Sequence, residues 1–188
     1  TLFANTVAAY NALPEPLRVL ADSLWATHSN EYDYANSHDS NKDKPEYRRE
    51  FTRVPFETEH PVVHLHPETG ERSLLLGHFV QGFLGLKTRE FHDLFDIFQD
   101  RITRPDNVFS WDWQEGDVVL WDNHATQHYG VNDFGDHTRN LHRVTLAGSV
   151  PTAVDGSRSR ILTGDASEYS VTDDVRPLVG YVGDAAEI

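Results

Sequence analysis

A chain of 188 residues with 38% apolar and 11% aromatic residues is long enough to bury one real core and too apolar to be disordered. Its 16 Lys and Arg against 30 Asp and Glu leave a formal charge of −14, which excludes non-specific nucleic-acid binding and a polybasic membrane patch while still allowing a small anion in an arginine-lined pocket. Cysteine is absent, excluding disulfides, zinc–thiolate sites and thiol catalysis; no apolar run approaches a membrane span, and the expected location is cytoplasmic.

In chain order, residues 2–28 read as helical. Asn5 is the N-cap candidate, Pro14 and Pro16 interrupt, and Leu17, Leu20, Ala21, Leu24 and Trp25 recur at helical spacing. Residues 29–50 are polar and aperiodic, and the stretch 31–48 is expected to be a mobile lid loop over a site. From His60 the pattern becomes strand-like. His60 to His66 alternates, Pro67-Glu68-Thr69-Gly70-Glu71-Arg72 makes a turn, and Ser73 to Leu76 resumes, which predicts a hairpin. A helix is expected over 88–102, with Phe91, Leu94, Phe95, Ile97, Phe98 and Ile102 largely on one side. Strands are expected at Val108–Trp113, at Val118–Trp121 after the Gln114–Asp117 turn, and near Leu141–Leu146. Many short strands with few helices favour a β-sandwich or jelly roll.

Eleven histidines in a cysteine-free acidic chain direct attention to oxygen and nitrogen metal sites. A non-haem Fe(II) centre takes two His and one carboxylate on one face of the metal. His66-Pro67-Glu68 is the one literal His-x-Glu match, but Glu68 falls in a turn that Pro-x-Thr-Gly chemistry explains unaided. The informative stretch is Gly116-Asp117-Val118-Val119-Leu120-Trp121-Asp122-Asn123, then Thr126-Gln127-His128, then Arg139-x-x-x-Arg143-x-Thr145-Leu146-x-Gly148. With it go Thr1-Leu2-Phe3-Ala4-Asn5, His60-Pro61-Val62-Val63 and Arg101-Ile102-Thr103-x-Pro105.

In these segments, from Thr1 to about Pro151, the chain resembles the taurine dioxygenase family of Fe(II)- and 2-oxoglutarate-dependent dioxygenases, which includes alkylsulfate and chlorophenoxyacetate dioxygenases. The resemblance implies a mainly β fold with flanking helices: a double-stranded β-helix (jelly roll), incomplete at the N-terminus. It implies that residues 1–188 are the C-terminal part of one dioxygenase domain. His128 is implied as the distal iron ligand. Arg139 and Thr1 would hold the distal carboxylate of 2-oxoglutarate, for which a planar guanidinium fork is suited. Arg143 would hold the sulfate or sulfonate of the substrate, Phe79 would form a substrate wall, and Trp121 would be an aromatic beside the iron. His124 stands where relatives commonly carry Arg and is read as a supporting or surface residue.

Relatives carry their His-x-Asp pair upstream of the segment matching Thr1, so the expectation is that this chain alone is inactive and that activity belongs to a longer parent. The implied partners are a small anionic organosulfur substrate and molecular oxygen, with no nucleic acid or membrane; homo-oligomers occur among relatives. The expected reaction is hydroxylation of the carbon next to a sulfate ester, releasing an aldehyde and sulfate with succinate and CO2. A taurine or other sulfonate substrate is the alternative, and an aryloxyacetate stands third. A jelly-roll module that binds an anion without turnover, and an unrelated metal-binding β-protein using His64, His66 and Glu68, are the readings from other classes.

Overall fold

The computed structural model describes residues 1–30, 55–136 and 139–164, so the expected lid at 31–48 lies outside the described residues. The chain opens with β1 (Leu2–Asn5), α1 (Thr6–Asn11), α2 (Glu15–Ser23) and β2 (Trp25–Ser29). There follow β3 (Glu57–Pro61), β4 (Val63–Leu65), β5 (Arg72–Leu74), β6 (Val80–Phe83), α3 (Thr88–Ile102), a 3-10 turn (Pro105–Asn107), β7 (Val108–Ser110), β8 (Thr126–Tyr129) and β9 (Arg160–Thr163). The arrangement is mainly β with flanking helices, as expected.

Among the described residues three antiparallel sheets form, in the orders β7-β1-β8, β6-β2-β3-β9 and β4-β5. The continuous helix expected over 2–28 is therefore corrected. Its first four residues are a central strand with partners on both sides, and Trp25 begins another strand. Ladder bonds on both edges of β1 outweigh the weak local propensity of Leu-Phe-Ala-Asn. Asn5 does cap α1, its Oδ1 accepting from Ala8 N at 2.9 Å. Pro14 and Pro16 flank the start of α2, where the missing N–H is no loss.

The hairpin forms as β4 and β5, with Val63 opposite Leu74 and Gly70 in the left-handed region (φ 69°) that its turn requires. Helix α3 runs over the predicted residues. Glu90 Oε2 accepts from Lys87 N at 2.8 Å at its start, and Phe91, Phe98 and Ile102 are buried along one stripe. Phe98 meets Phe83, which stands edge-on to Phe91 at 5.1 Å. Ile97 is instead exposed, because its position on the helix points off that stripe. The core joins this stripe to Tyr10, Leu13 and Ala21 from the first helices and Val62, Val63, Leu74 and Leu76 from the hairpin.

Two expected strands are absent among the described residues: Val118–Trp121 and Leu141–Leu146 adopt no ladder. Val118 is 93% exposed and Leu120 88%. A strand needs a neighbour to bond, and β-propensity alone does not hold one.

Candidate active site

Strand β8 carries the site, and three sets of contacts hold it. Along its edge it pairs with β1, Phe3 lying opposite His128 and Ala4 opposite Gln127. Behind it, Gln127 exchanges amide hydrogen bonds with Gln99 of α3, the shorter at 2.7 Å. Ahead of it, the turn from Trp121 to Ala125 is latched to the β4–β5 hairpin. Asp122 Oδ1 accepts from His124 N at 2.6 Å, Asp122 Oδ2 meets His66 Nε2 at 2.8 Å, and the Ser73 hydroxyl donates to His124 O at 2.6 Å. Burial alone would raise the Asp122 carboxyl, but these two donors outweigh it and leave the group below its usual range.

These contacts also settle the His66-Pro67-Glu68 motif. Both ring nitrogens of His66 are engaged, Nε2 with Asp122 and Nδ1 with the N–H groups of Glu68 and Thr69 at 3.3 Å. Glu68 itself is exposed. His64 is fully buried, its Nδ1 accepting from Thr152 N at 3.0 Å and its ring edge-on to His124 at 4.7 Å. Among the described residues no group of three or more His, Cys, Asp or Glu is gathered to hold a metal, so the His64–His66–Glu68 alternative finds no support.

His128 is exposed as a residue, yet rings approach it on two sides: Trp121 at 5.2 Å and Phe3 at 6.4 Å. Phe3 and Trp121 in turn touch each other at 5.3 Å. Arg143 completes the group, with its guanidinium carbon 5.5 Å from the Trp121 ring centre and Nη1 3.4 Å from His128 Nε2. Burial of the ring, with the Arg143 charge second, pushes the His128 imidazole below its ordinary value. A guanidinium only donates, so Nε2 is the acceptor and its one lone pair faces Arg143. That lone pair can serve Arg143 or a metal, not both at once.

Just before β1, Arg139 Nη2 donates to Thr1 Oγ1 at 3.1 Å and Nη1 to Val131 O at 3.3 Å. The guanidinium lies 5.6 Å from the Phe134 ring and is half-buried. Trp113 Nε1 donates to the same Thr1 hydroxyl at 2.8 Å. Thr1 is thus no frayed end: its backbone pairs with Trp111 in both directions, at 2.7 and 2.9 Å.

Five of the six sequence candidates therefore fall into two touching sets, Thr1 with Arg139 and His128 with Trp121 and Arg143. The arginines do not reach them by alternation along a strand, since 139–143 forms none; each is placed by its own contacts. Phe79 stands in the turn before β6, its ring on His78 at 5.9 Å, and that turn passes β8 where Gly77 faces the Gln127 side chain. Sequence reading missed Phe3, Trp113 and the Gln99–Gln127 clasp. Reading residues 1–5 as a strand would have put Phe3 and Thr1 on one face.

The donor sets fit the groups a dioxygenase of this kind uses. A half-buried guanidinium beside a hydroxyl suits one carboxylate, and an imidazole nitrogen that only Arg143 engages suits one coordination position. The described residues offer no second and third metal donor beside His128.

A fold of short antiparallel strands with flanking helices is that of the TauD-type dioxygenases. The family model described as "Taurine catabolism dioxygenase TauD, TfdA family" matches residues 1–145, and the chain belongs to that family. Among curated relatives it is 54% identical over 162 residues to an α-ketoglutarate-dependent sulfate ester dioxygenase of Pseudomonas putida, covering 85% of this chain and 54% of that protein. It is 49% identical over 164 residues to an alkylsulfatase of Acinetobacter baylyi, covering 85% of this chain and 51% of that one. A solved taurine dioxygenase of Burkholderia xenovorans superposes with a TM-score of 0.69 at 33% identity, over 87% of this chain and 53% of that chain. The chain thus spans about half the length of the relatives it matches.

Proposed function

We propose that this chain supplies the 2-oxoglutarate anchor, one iron ligand and the substrate anchor of an Fe(II)-dependent dioxygenase acting on alkyl sulfate esters. The observation that carries the reading is the placing of charge: two arginines, one bound to the Thr1 hydroxyl and one at the His128 imidazole, are held near the ends of paired strands in a chain of net charge −14. Such a pair of cations receives two anionic groups on either side of one metal. The names of the sulfate ester dioxygenase and alkylsulfatase relatives support a sulfate ester over a sulfonate.

His128 Nε2 would hold the iron, with two further donors to complete a facial set. Arg139 and Thr1 would grip the distal carboxylate of 2-oxoglutarate. When bound, iron and 2-oxoglutarate supply the oxidation, one atom of O2 ending in succinate with loss of CO2 and the other in a hydroxyl on the substrate. Arg143 would leave Nε2 for the sulfate and so fix the adjacent carbon beside the metal rather than on it. Phe3 and Trp121 would keep water from the reacting side. The carbon then bears both hydroxyl and sulfate; its O–H proton and the C–O bond to sulfate are lost together, giving an aldehyde and hydrogensulfate. Phe79 would wall the alkyl chain.

Anaerobic titration of the intact protein with Fe(II) and 2-oxoglutarate tests this. The weak visible band of the chelate should appear and should be lost in His128→Ala. A band that survives the substitution removes His128 from the metal, and a protein that binds the dianion with no band is the non-catalytic binding module.

A further inference from the structure

Trp113 follows β7 in a segment clamped at both ends. On one side Thr1 and Trp111 exchange backbone hydrogen bonds; on the other, Asp117 Oδ2 accepts from Gln114 N at 3.0 Å and Trp111 Nε1 at 3.2 Å. The half-buried Trp113 indole is thereby brought to the Thr1 hydroxyl, at 2.8 Å from Nε1 to Oγ1. Arg139 Nη2 reaches the same oxygen at 3.1 Å.

A hydroxyl has two acceptor lone pairs and one hydrogen, whereas an indole N–H and a guanidinium can only donate. The two donors therefore occupy both lone pairs of Thr1 Oγ1. The hydroxyl hydrogen must point away from both, and it is the one part of the group left to address an anion beside Arg139. Donation into Oγ1 also polarises the O–H bond and strengthens what it donates.

We propose that Trp113 is a positioning residue of the carboxylate anchor, its Nε1–H turning the Thr1 hydroxyl so that its hydrogen meets the distal carboxylate of 2-oxoglutarate. This rests on the 2-oxoglutarate reading above. Removing the indole N–H frees the hydroxyl to rotate and leaves Arg139 to hold the carboxylate with a less ordered partner.

The test is calorimetric and needs no turnover. The intact protein, loaded with Zn(II) in place of iron, is titrated with 2-oxoglutarate and with 2-oxopentanoate, which has the same length and keto-acid end but no distal carboxylate. Trp113→Phe keeps a ring and removes the N–H. It should raise Kd for 2-oxoglutarate roughly fivefold, the scale of one neutral hydrogen bond, and leave 2-oxopentanoate unchanged. In a Thr1→Val background the same substitution should have no further effect. Unchanged 2-oxoglutarate binding, or equal weakening of both ligands, overturns the proposal. A wild-type protein that binds the two ligands equally has no carboxylate anchor, and then the functional reading falls and the positioning role with it. Should Trp113→Phe not fold, the indole N–H resonance of Trp113 in the unaltered protein decides: it should move with 2-oxoglutarate and not with 2-oxopentanoate, and an unmoved resonance overturns the proposal.

Discussion

Arg143 Nη1 lies 3.4 Å from His128 Nε2, so the cation that would hold the substrate rests on the nitrogen that would hold the metal. Metal binding at Nε2 and release of the arginine are then one event. Arg143→Ala should raise KM for a long-chain alkyl sulfate by tenfold or more, the scale of truncating one member of a charge pair. The Kd of 2-oxoglutarate, measured without substrate, should stay as it was. A fall in 2-oxoglutarate affinity of the same size would assign Arg143 to the wrong anion.

Arg139→Lys separates shape from charge. The substituted residue keeps the positive charge but loses the planar fork, and the contact to Thr1 Oγ1 depends on one arm of that fork while the other reaches Val131 O. Affinity for 2-oxoglutarate should drop about tenfold or more at unchanged substrate KM, measured by titration of the metal-loaded protein.

Three histidines should make the fold sensitive to mild acid. His28 and His60 stack edge-on at 4.7 Å, and burial, with the neighbouring histidine charges second, depresses them to about 3 and about 4. His64 is pushed to about 4 by burial first and His124 second. In the unfolded chain each titrates near 6.5, so between pH 6.5 and 4 the unfolded state binds more protons. Stability should therefore be full above pH 6.5 and fall as pH drops, the His60 and His64 contributions being spent near pH 4 and that of His28 near pH 3. The slope is at most about 1.4 kcal/mol per pH unit for each histidine. Urea midpoints from pH 8 to 4 measure it, and His60→Gln should flatten the curve; an unchanged curve would mean that His60 does not contribute.

Phe98 is fully buried where α3 meets β6, beside Phe83. Phe98→Ala should cost about 3–5 kcal/mol. The neighbouring Ile97→Ala, at an exposed position of the same helix, should cost under about 1 kcal/mol. Denaturant unfolding of the pair checks that the buried stripe, not helix content, holds α3 to the sheet.

Helix α3 was legible because fifteen residues carry one periodic stripe that packing then uses. The hairpin of β4 and β5 was legible because its turn residues and its alternation agree. Strand β1 was not, since four residues carry no usable period and its identity comes from neighbours more than a hundred residues away. Val118–Trp121 and Leu141–Leu146 failed the opposite way, with strand-like sequence and no partner among the described residues. The candidate site could be named from residue types in order, yet Trp113 and Phe3 could not, because both make contacts between distant segments that no local pattern encodes.

Thr1 and His128 are related through one four-residue strand: Phe3 is opposite His128, and Thr1 lies two residues before Phe3, just ahead of β1. Two residues of extended chain measure about 6.6 Å, a length fixed by covalent geometry rather than by side-chain packing. If Thr1 and His128 hold the two ends of 2-oxoglutarate as proposed, the strand would work as a ruler between them and would favour one diacid length over its shorter and longer homologues. A slip of one residue in the β1–β8 register would change that length and turn the Phe3 ring to the opposite face, so the calibration and the shelter of the imidazole stand or fall together.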